Sequence, residues 1–363
     1  MSFGFRSLID GAKKIAINGT GSTTAPISDL FAKADPAVDG DDCSHDCSSC
    51  SLKYPSRFKV DLQDRLYGLV KGWNTHLLVA TGKSDWVRDV THEKGSVMEA
   101  VGNASSPTNG RMMLSASNIP TASQSSDYTD PARVLLLPAF VVVDNVTPAL
   151  VPALLEQLVS KAPTSITPLA GTNPPPSLPP SLPAPLTYHQ SPHSVLVLLC
   201  SQKTRDARCG QSAPIIRKEL ERHLRPLGLS RDLDDERPGG VGIYFISHVG
   251  GHKYSANMMV YRRPNAFGLD NVSRGLLTEE ERAALPARIR SAVPAVQRTG
   301  VTEEGDAALN TSTAGASQCI WLARVMPEDC ENIVNYTILQ GKVVKPESQL
   351  RGGFDREKGL LSW

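Results

Sequence analysis

The feature that most constrains the fold is a proline-rich segment near the middle of the chain. Residues 161–192 contain ten prolines, which lack a backbone donor and favour extended polyproline II conformations. Such a segment is not expected to fold into a packed core. Because 363 residues are enough for two ordinary domains, we predict that it is a linker dividing the chain in two. A ligand for an SH3 or WW domain is the less favoured interpretation.

The overall composition is typical of a globular protein, with 40% hydrophobic and 21% charged residues. The net charge of +1 gives no reason to expect nucleic acid or an anionic membrane as a partner. No apolar run approaches the roughly 20 residues that a membrane-spanning helix needs, and the N-terminus lacks the apolar core of a secretory signal. Seven cysteines, odd in number and clustered, do not suggest a disulfide framework. We therefore expect a cytoplasmic protein whose cysteines bind metal or are redox-active.

The part of the chain before the linker is predicted to contain one α/β unit, at residues 54–160. Residues 75–82 and 134–144 are continuous apolar runs bounded by turn residues, as buried strands are. A helix is expected over residues 148–159, with a proline in its first turn. Residues 1–42 are polar and small, and residues 1–53, which contain three of the cysteines, are expected to be a largely disordered segment.

Residues 193–363 show a clearer order of elements. An apolar strand ends at Cys200, a helix capped by Ser212 follows, two adjacent strands come next, and a last strand precedes a last helix. This order is expected of a thioredoxin-like domain. The first apolar run of the chain ends in the same way, but with Thr81 and Gly82 in place of the cysteine. The fold class is therefore predicted as α/β with two thioredoxin-like domains, the first one degenerate.

Four residues with metal-binding side chains follow strands of the second half. They form a C-x8-C pair, Cys200 and Cys209, and an H-x3-H pair, His248 and His252. Because loops that leave strand ends meet at one edge of an α/β sheet, the four side chains are expected to converge. A zinc ion is one candidate, although structural zinc sites usually have C-x2–4-C spacing. A [2Fe–2S] cluster suits the wider spacing, since its two irons take separate ligand pairs. Packed thiols and loop histidines without a metal are the third interpretation.

Three segments of the second half, CSQKTRDARCG, GIYFISHVGGHKYSANMMVY and WLARVMPEDCENIVNYTILQGKVV, closely resemble the sucrase/ferredoxin-like family, including its fungal actin-patches-distal type. In the first half, ATGKSDWVRDV is similar to a signature of that family. The resemblance covers most of residues 45–363. It implies that the second half is a thioredoxin-like ferredoxin domain whose [2Fe–2S] cluster is bound by Cys200, Cys209, His248 and His252.

The resemblance also points to residues around the cluster. Arg205 and Arg208 match the family's RDxRCG loop, and Asn257 matches an asparagine that follows its histidine pair. Positive charge beside the thiolates stabilises the added negative charge of the reduced cluster and so raises its reduction potential. The alternative is that the two arginines belong to a solvated turn and have no such role. Asn257 is expected to hydrogen-bond the cluster loop or to cap a turn. In the first-half signature, Asp85 is expected to be a cap and Trp86 a packed side chain.

The chain ends in Leu361, Ser362 and Trp363. This aliphatic–polar–aromatic tail resembles the C-terminal peptide that recruits the cytosolic iron–sulfur targeting complex, so that complex is the expected partner. We expect removal of Trp363 to lower cluster occupancy in cells without unfolding the domain.

Together these features predict an electron carrier rather than a catalyst. All four cluster ligands come from the protein, and no substrate-activating group is evident beside them. Neutral imidazole in place of thiolate leaves a cluster less negative and easier to reduce, and the free ring N–H couples electron uptake to proton uptake. The expected role is one-electron transfer in cytosolic redox homeostasis, with an unidentified electron donor and acceptor.

Two other functions stay open. A structural zinc site fits a non-redox interaction module in actin-patch organisation. Cys47 and Cys50 form a C-x-x-C motif, which fits a dithiol–disulfide oxidoreductase. Together with Cys43, these thiols are expected to be either flexible or part of a minor metal site.

Overall fold

Twelve β-strands form one mixed sheet in the computed structural model, which describes residues 24–125, 127–169, 178–267, 280 and 314–363. The strands are β1 (Thr75–Ala80), β2 (Met112–Ser117), β3 (Ala132–Leu137), β4 (Val141–Val146), β5 (Thr187–Gln190), β6 (Val195–Cys200), β7 (Ser230–Arg231), β8 (Val241–Ile246), β9 (Met258–Arg262), β10 (Gln318–Leu322), β11 (Leu350–Asp355) and β12 (Leu360–Leu361).

The helices of the described residues cover the sheet and its edges. They are α1 (Ile27–Leu30), α2 (Pro36–Asp39), α3 (Val97–Asn103), α4 (Val151–Gln157), α5 (Ala207–Leu224), α6 (Cys330–Asn332) and α7 (Pro346–Gln349). The chain continues from α6 as a π-helical turn over Ile333–Ile338. None of these helices combines the length and the apolar character that crossing a bilayer requires.

Both halves of the sheet repeat the same arrangement. In the first half, β1 pairs with the parallel β2 and the antiparallel β3, and β3 pairs with the antiparallel β4. In the second half, β6, β8, β9 and β10 pair in the same way. The crossovers between the parallel strands contain α3 and α5. Thioredoxin-like and ferredoxin-like α/β folds have a mixed sheet of this kind, so the predicted α/β class is confirmed. The division into two domains stays a prediction, since the sheet runs continuously through both halves.

The longest helix, α5, begins earlier than the sequence suggested. It begins at Ala207 and not near Ser212, because the carboxylate of Asp206 accepts the backbone N–H of Arg208 at 2.9 Å and caps the first turn. Its apolar stripe, with a spacing of four residues, packs in the core of the second half. Cys209 therefore lies in the first turn of a helix and not in a loop before it.

The two halves meet where β2 and β8 lie side by side as antiparallel neighbours. The hydroxyl of Ser117 donates to the carbonyl of Phe245 at 2.9 Å, and the side-chain oxygen of Asn118 accepts the N–H of Phe245 at 2.7 Å. On the other side, the hydroxyl of Ser247 accepts the N–H of Ala116 at 3.0 Å. Buried polar side chains thus supply hydrogen bonds where the backbone ladder between the halves is short.

Residues 24–53 pack on the fold, in contrast to the predicted disorder. Leu30 and Phe31 are buried in the core of the second half. The backbone N–H of Cys47 donates to the carbonyl of Glu328 at 3.0 Å. A few apolar side chains in a mostly polar segment are enough to fix it to an existing core, which average composition does not reveal. The rest of the predicted N-terminal segment, residues 1–23, lies outside the described residues.

The proline-rich segment contacts the core on both sides of its central part. The hydroxyl of Ser165 donates to the carbonyl of Trp73 at 2.8 Å, and β5 pairs with the outer side of β4. Residues 161–169 and 178–192 are therefore part of the fold and not a free linker, because residues 186–191 contain no proline and are able to pair with an open sheet edge. Residues 170–177 lie outside the described residues.

The C-terminal tail, Leu361 to Trp363, is packed into the fold. Ser362 is buried, and its hydroxyl accepts the N–H of Gly353 at 2.9 Å. The indole of Trp363 stacks on that of Trp73, with ring centroids 4.3 Å apart. Removing Trp363 is therefore expected to weaken the fold, contrary to the expectation for a free docking peptide.

Replacing Trp363 with alanine should lower the free energy of unfolding by about 2 kcal/mol, less than the ~3–5 kcal/mol of a fully buried aromatic residue, because the ring is only partly buried. Chemical denaturation measures this difference. Leu62→Ala is the control, since Leu62 is 65% exposed and its loss should cost less than about 0.5 kcal/mol. An equal effect of the two substitutions would show that the tail does not pack on Trp73.

Candidate metal centre

The two cysteines of the C-x8-C motif lie side by side at one end of the sheet. Cys200 is the last residue of β6, and Cys209 lies in the first turn of α5. Both are buried, and they lie close enough for each thiol to shift the pKa of the other. The hydroxyl of Ser255 lies 3.3 Å from the sulfur of Cys209. Residues 201–208, here called the cysteine loop, thus bring two thiols together.

The two thiols differ in acidity. The interaction with the Cys200 thiol, with smaller contributions from His248 and Ser255, lowers the pKa of Cys209 in spite of its burial. The same interaction and burial raise the pKa of Cys200 well above its ordinary value. Cys209 is therefore the thiolate of the pair, and the thiolate is the form that ligates a metal.

The two histidines of the H-x3-H motif lie close to each other, just beyond β8. The ring centroids of His248 and His252 are 5.2 Å apart. The Nδ1 atom of each ring is buried and has no hydrogen-bond partner among the described residues. Leaving a buried ring nitrogen unpaired costs about 1–3 kcal/mol, so two such atoms on one loop indicate a missing partner. A metal bound through Nδ1 satisfies both.

The charge state of His252 also suits a ligand. Burial lowers the pKa of this ring, although the carboxylate of Asp206 opposes the shift from 3.8 Å away. The ring is therefore neutral near pH 7, and neutral imidazole has the free lone pair that a metal takes. Its side chain is still 40% exposed, so part of the ring reaches solvent.

Hydrogen bonds to the backbone hold residues 248–252, here called the histidine loop. Gly250 and Gly251 have φ angles of 88° and 66°, in the region that favours glycine. The guanidinium of Arg351 donates to the carbonyl of Gly250 at 3.0 Å and to the side-chain oxygen of Asn257 at 2.8 Å. The amide of Asn257 donates to the carbonyl of Gly251 at 3.0 Å. Sequence reasoning missed Arg351, whose signal was an arginine inside the otherwise uncharged start of β11.

The two arginines of the cysteine loop have different surroundings. Arg208 forms a two-bond ion pair with Asp206, with distances of 2.8 and 2.9 Å. Asp206 raises the pKa of Arg208 through this pair and also neutralises its charge. Arg205 lies near Asp89, whose pKa it helps to lower, and its own Nε atom is buried without a partner among the described residues. The charge of Cys209 also helps to raise the pKa of Arg208, so this arginine interacts with the cysteine pair. The effect of the two arginines on a reduction potential stays a prediction.

The first-half signature, residues 82–86, supports the cysteine loop of the second half. The carboxylate of Asp85 accepts the backbone N–H and the hydroxyl of Thr204, at 3.0 and 2.8 Å. The amide of Gln202 donates to the carbonyl of Val87 at 2.5 Å, while its oxygen accepts the N–H of His248 at 2.8 Å. Asp85 therefore does not act as a local cap: it joins the two halves. Trp86 packs in the first-half core.

A second set of metal-binding side chains lies elsewhere in the described residues. The ligand atoms of Cys47, His223 and Glu331 all lie within 4.8 Å of one another. The structure therefore has a Cys/His/Glu group that could hold a metal, apart from the four residues predicted. Only Cys47 of this group was noted from the sequence, because the three residues are far apart along the chain and follow no spacing rule.

Comparison with known proteins identifies a matching family and several similar proteins. A profile of the family described as sucrase/ferredoxin-like matches residues 66–352. Actin patches distal protein 1 of Saccharomyces cerevisiae is 28% identical over 280 residues, which are 70% of this chain and 83% of that protein. Altered inheritance of mitochondria protein 32 of Clavispora lusitaniae is 25% identical over 162 residues, 44% of this chain and 37% of that protein. No solved structure matches the chain.

Replacing Asn257 with alanine should lower the free energy of unfolding by about 1–3 kcal/mol, because it leaves the Gly251 carbonyl and part of the buried Arg351 guanidinium unpaired. It should also speed amide hydrogen exchange in the histidine loop. Denaturation and exchange mass spectrometry measure the two effects. Asn103→Ala, at an exposed position, is the matched control. Unchanged exchange in the Asn257 variant would contradict the role of this side chain.

Proposed function

The chain belongs to the sucrase/ferredoxin-like family, and on that premise we propose that it is a cytoplasmic electron carrier. In this proposal Cys200, Cys209, His248 and His252 bind a [2Fe–2S] cluster, which accepts and returns one electron. The observation that carries the proposal is the pair of buried Nδ1 atoms on one loop without partners among the described residues, together with two adjacent buried thiols at the end of the same sheet.

The arrangement supports a carrier rather than a catalyst. Two thiolates and two neutral imidazoles complete the ligand set of a two-iron cluster. Since two neutral imidazoles replace two negatively charged thiolates, such a cluster accepts an electron more easily than a cluster bound by four cysteines. The backbone contacts of Arg351 and Asn257 fix the histidine loop, which limits rearrangement when the charge changes. Redox homeostasis in the cytoplasm is the role that fits a carrier of this kind.

His252 is the residue through which we expect a proton to follow the electron. Its Nδ1 is buried, while its side chain is 40% exposed and its Nε2 lies 3.8 Å from a carboxylate oxygen of Asp206. A proton on Nε2 therefore exchanges with solvent and is stabilised by the nearby negative charge.

A second candidate function is a non-redox interaction module with a structural zinc ion at the same four residues. It is favoured by the 28% identity to a protein named for actin patches. Anaerobic purification separates the two: iron and sulfide in equal amounts support the electron carrier, whereas zinc alone in the site supports the module.

The cytosolic iron–sulfur targeting complex stays our proposed partner of the tail. Because Ser362 is buried and Trp363 stacks on Trp73, recognition of the tail requires it to leave this position. In this proposal, the cluster is inserted before the tail packs against Trp73, or while it does so.

Cys209→Ser should abolish iron and sulfide binding, because a serine hydroxyl does not supply the thiolate that the cluster needs. Iron and sulfide assays on anaerobically purified protein, with visible absorption, measure the loss. Cys50→Ser is the matched control, since Cys50 lies outside the four residues and its thiol bonds the carbonyl of Leu52. Full iron content in the Cys209 variant would contradict the ligand set.

The reduction potential should fall as the pH rises, by up to about 59 mV per pH unit for one proton taken up with one electron. Added negative charge raises the pKa of the His252 ring N–H, so the proton is held in the reduced state and released in the oxidised state between the two pKa values. His252→Cys should lower the potential and flatten the slope. Redox titrations at several pH values test this, and potentials that are independent of pH in both proteins would contradict it.

A further inference from the structure

The Cys47, His223 and Glu331 group lies at the opposite end of α5 from Cys209. Fourteen residues of α-helix separate Cys209 from His223, a rise of about 21 Å. The group joins three parts of the chain: the N-terminal segment, the last turn of α5, and α6. Cys47 and His223 are each only 8% exposed. The group is therefore separate from the candidate metal centre.

We propose that Cys47, His223 and Glu331 form a second metal site, and that the metal is Zn²⁺. Their ligand atoms lie within 4.8 Å of one another, close enough to turn towards a single ion. A thiolate, an imidazole and a carboxylate together are a ligand set that zinc takes, and three protein ligands leave one tetrahedral position for water.

The surroundings supply the water and the negative charge that such an ion needs. Cys47 and Glu331 line a cleft of about 620 Å³. Its wall also carries four aspartates, Asp39, Asp41, Asp42 and Asp46. Carboxylates are five of the twelve residues that line the cleft, and two of them, Asp39 and Asp46, pair with Lys342 and Lys345. The other acidic side chains raise the local concentration of cations, so the open ligand position faces both water and a favourable field.

A positive group already lies against two of the proposed ligands. One guanidinium nitrogen of Arg222 is 3.6 Å from the sulfur of Cys47 and 3.0 Å from Nε2 of His223. Through its Nε, Arg222 also pairs with Glu219 at 2.8 Å, and its side chain is 37% exposed. The guanidinium is thus able to rotate towards solvent, away from Cys47 and His223, while its Nε keeps the ion pair with Glu219. When Zn²⁺ binds, it takes the place of the guanidinium beside the sulfur of Cys47 and the Nε2 lone pair of His223.

A metal ion at this site would help to fix the N-terminal segment on the fold. The segment already has hydrogen bonds to this end of the molecule: the N–H of Leu52 donates to Glu219 at 3.2 Å, the amide of Asn332 donates to the carbonyl of His45 at 2.8 Å, and Lys345 pairs with Asp46 at 2.6 Å. A bound ion adds a cross-link between Cys47 and two helices of the second half.

The test measures zinc, iron and sulfide together in full-length protein purified with its native metals and dialysed against metal-free buffer. We expect one zinc per chain in addition to any iron. Cys47→Ser and His223→Gln should lose the zinc without losing iron, whereas Cys50→Ser, three residues from Cys47, should keep it. Zinc retained in the Cys47 variant, or lost equally in the Cys50 variant, would overturn the site.

Two further variants separate this proposal from the proposed function and from misfolding. Cys209→Ser removes a ligand of the other centre and should leave the zinc in place; zinc lost there and retained in Cys47→Ser would assign it to the other centre. Arg222→Met removes the competing cation and should bind added Zn²⁺ about fivefold more tightly, the scale of a partly exposed charge interaction. Weaker binding in this variant would contradict the proposed position. A circular-dichroism spectrum equal to that of the unchanged protein shows that the gain does not come from thiols exposed by unfolding.

Discussion

The side-by-side pairing of β2 and β8 is the constraint on which the rest of the structure depends. It joins two similar four-strand arrangements into one sheet and is completed by buried side chains such as Ser117 and Asn118. Because equivalent strands of the two halves meet, the loops beyond them meet as well. The first-half signature thereby reaches the cysteine loop through Asp85, and Gln202 connects that loop to His248. The candidate metal centre is thus built by both halves, although all four predicted ligands belong to one.

The tail and the histidine loop are connected by a continuous series of ring contacts. Trp363 stacks on Trp73, Trp73 meets the edge of Trp321 at 5.4 Å, and the guanidinium of Arg351 lies 4.2 Å from the ring of Trp321. Arg351 in turn bonds the carbonyl of Gly250. Packing of the C-terminus and the shape of the histidine loop therefore depend on the same buried residues. Each also depends on β11, which contains Arg351 and pairs with β12 next to the tail.

The two groups of metal-binding side chains use opposite ends of α5. Cys209 lies in its first turn, where backbone N–H groups favour a thiolate. His223 lies in its last turn, beside Arg222. One helix thus holds a metal-binding side chain of each group, and its length keeps the two groups apart.

The sequence by itself determined the α/β class and named the candidate ligands of the metal centre. The apolar runs at β1, β6 and β8 indicated buried strands, and the C-x8-C and H-x3-H motifs begin at or just after the ends of β6 and β8. It did not determine that residues 24–53 are ordered, that the tail is packed, or that Arg351 and Asp85 support the site, since each depends on partners hundreds of residues away or in the other half. Periodicity and motif spacing report local geometry, whereas long-range hydrogen bonds and ring contacts exist only once the sheet has brought distant segments together. The tertiary structure alone decided them.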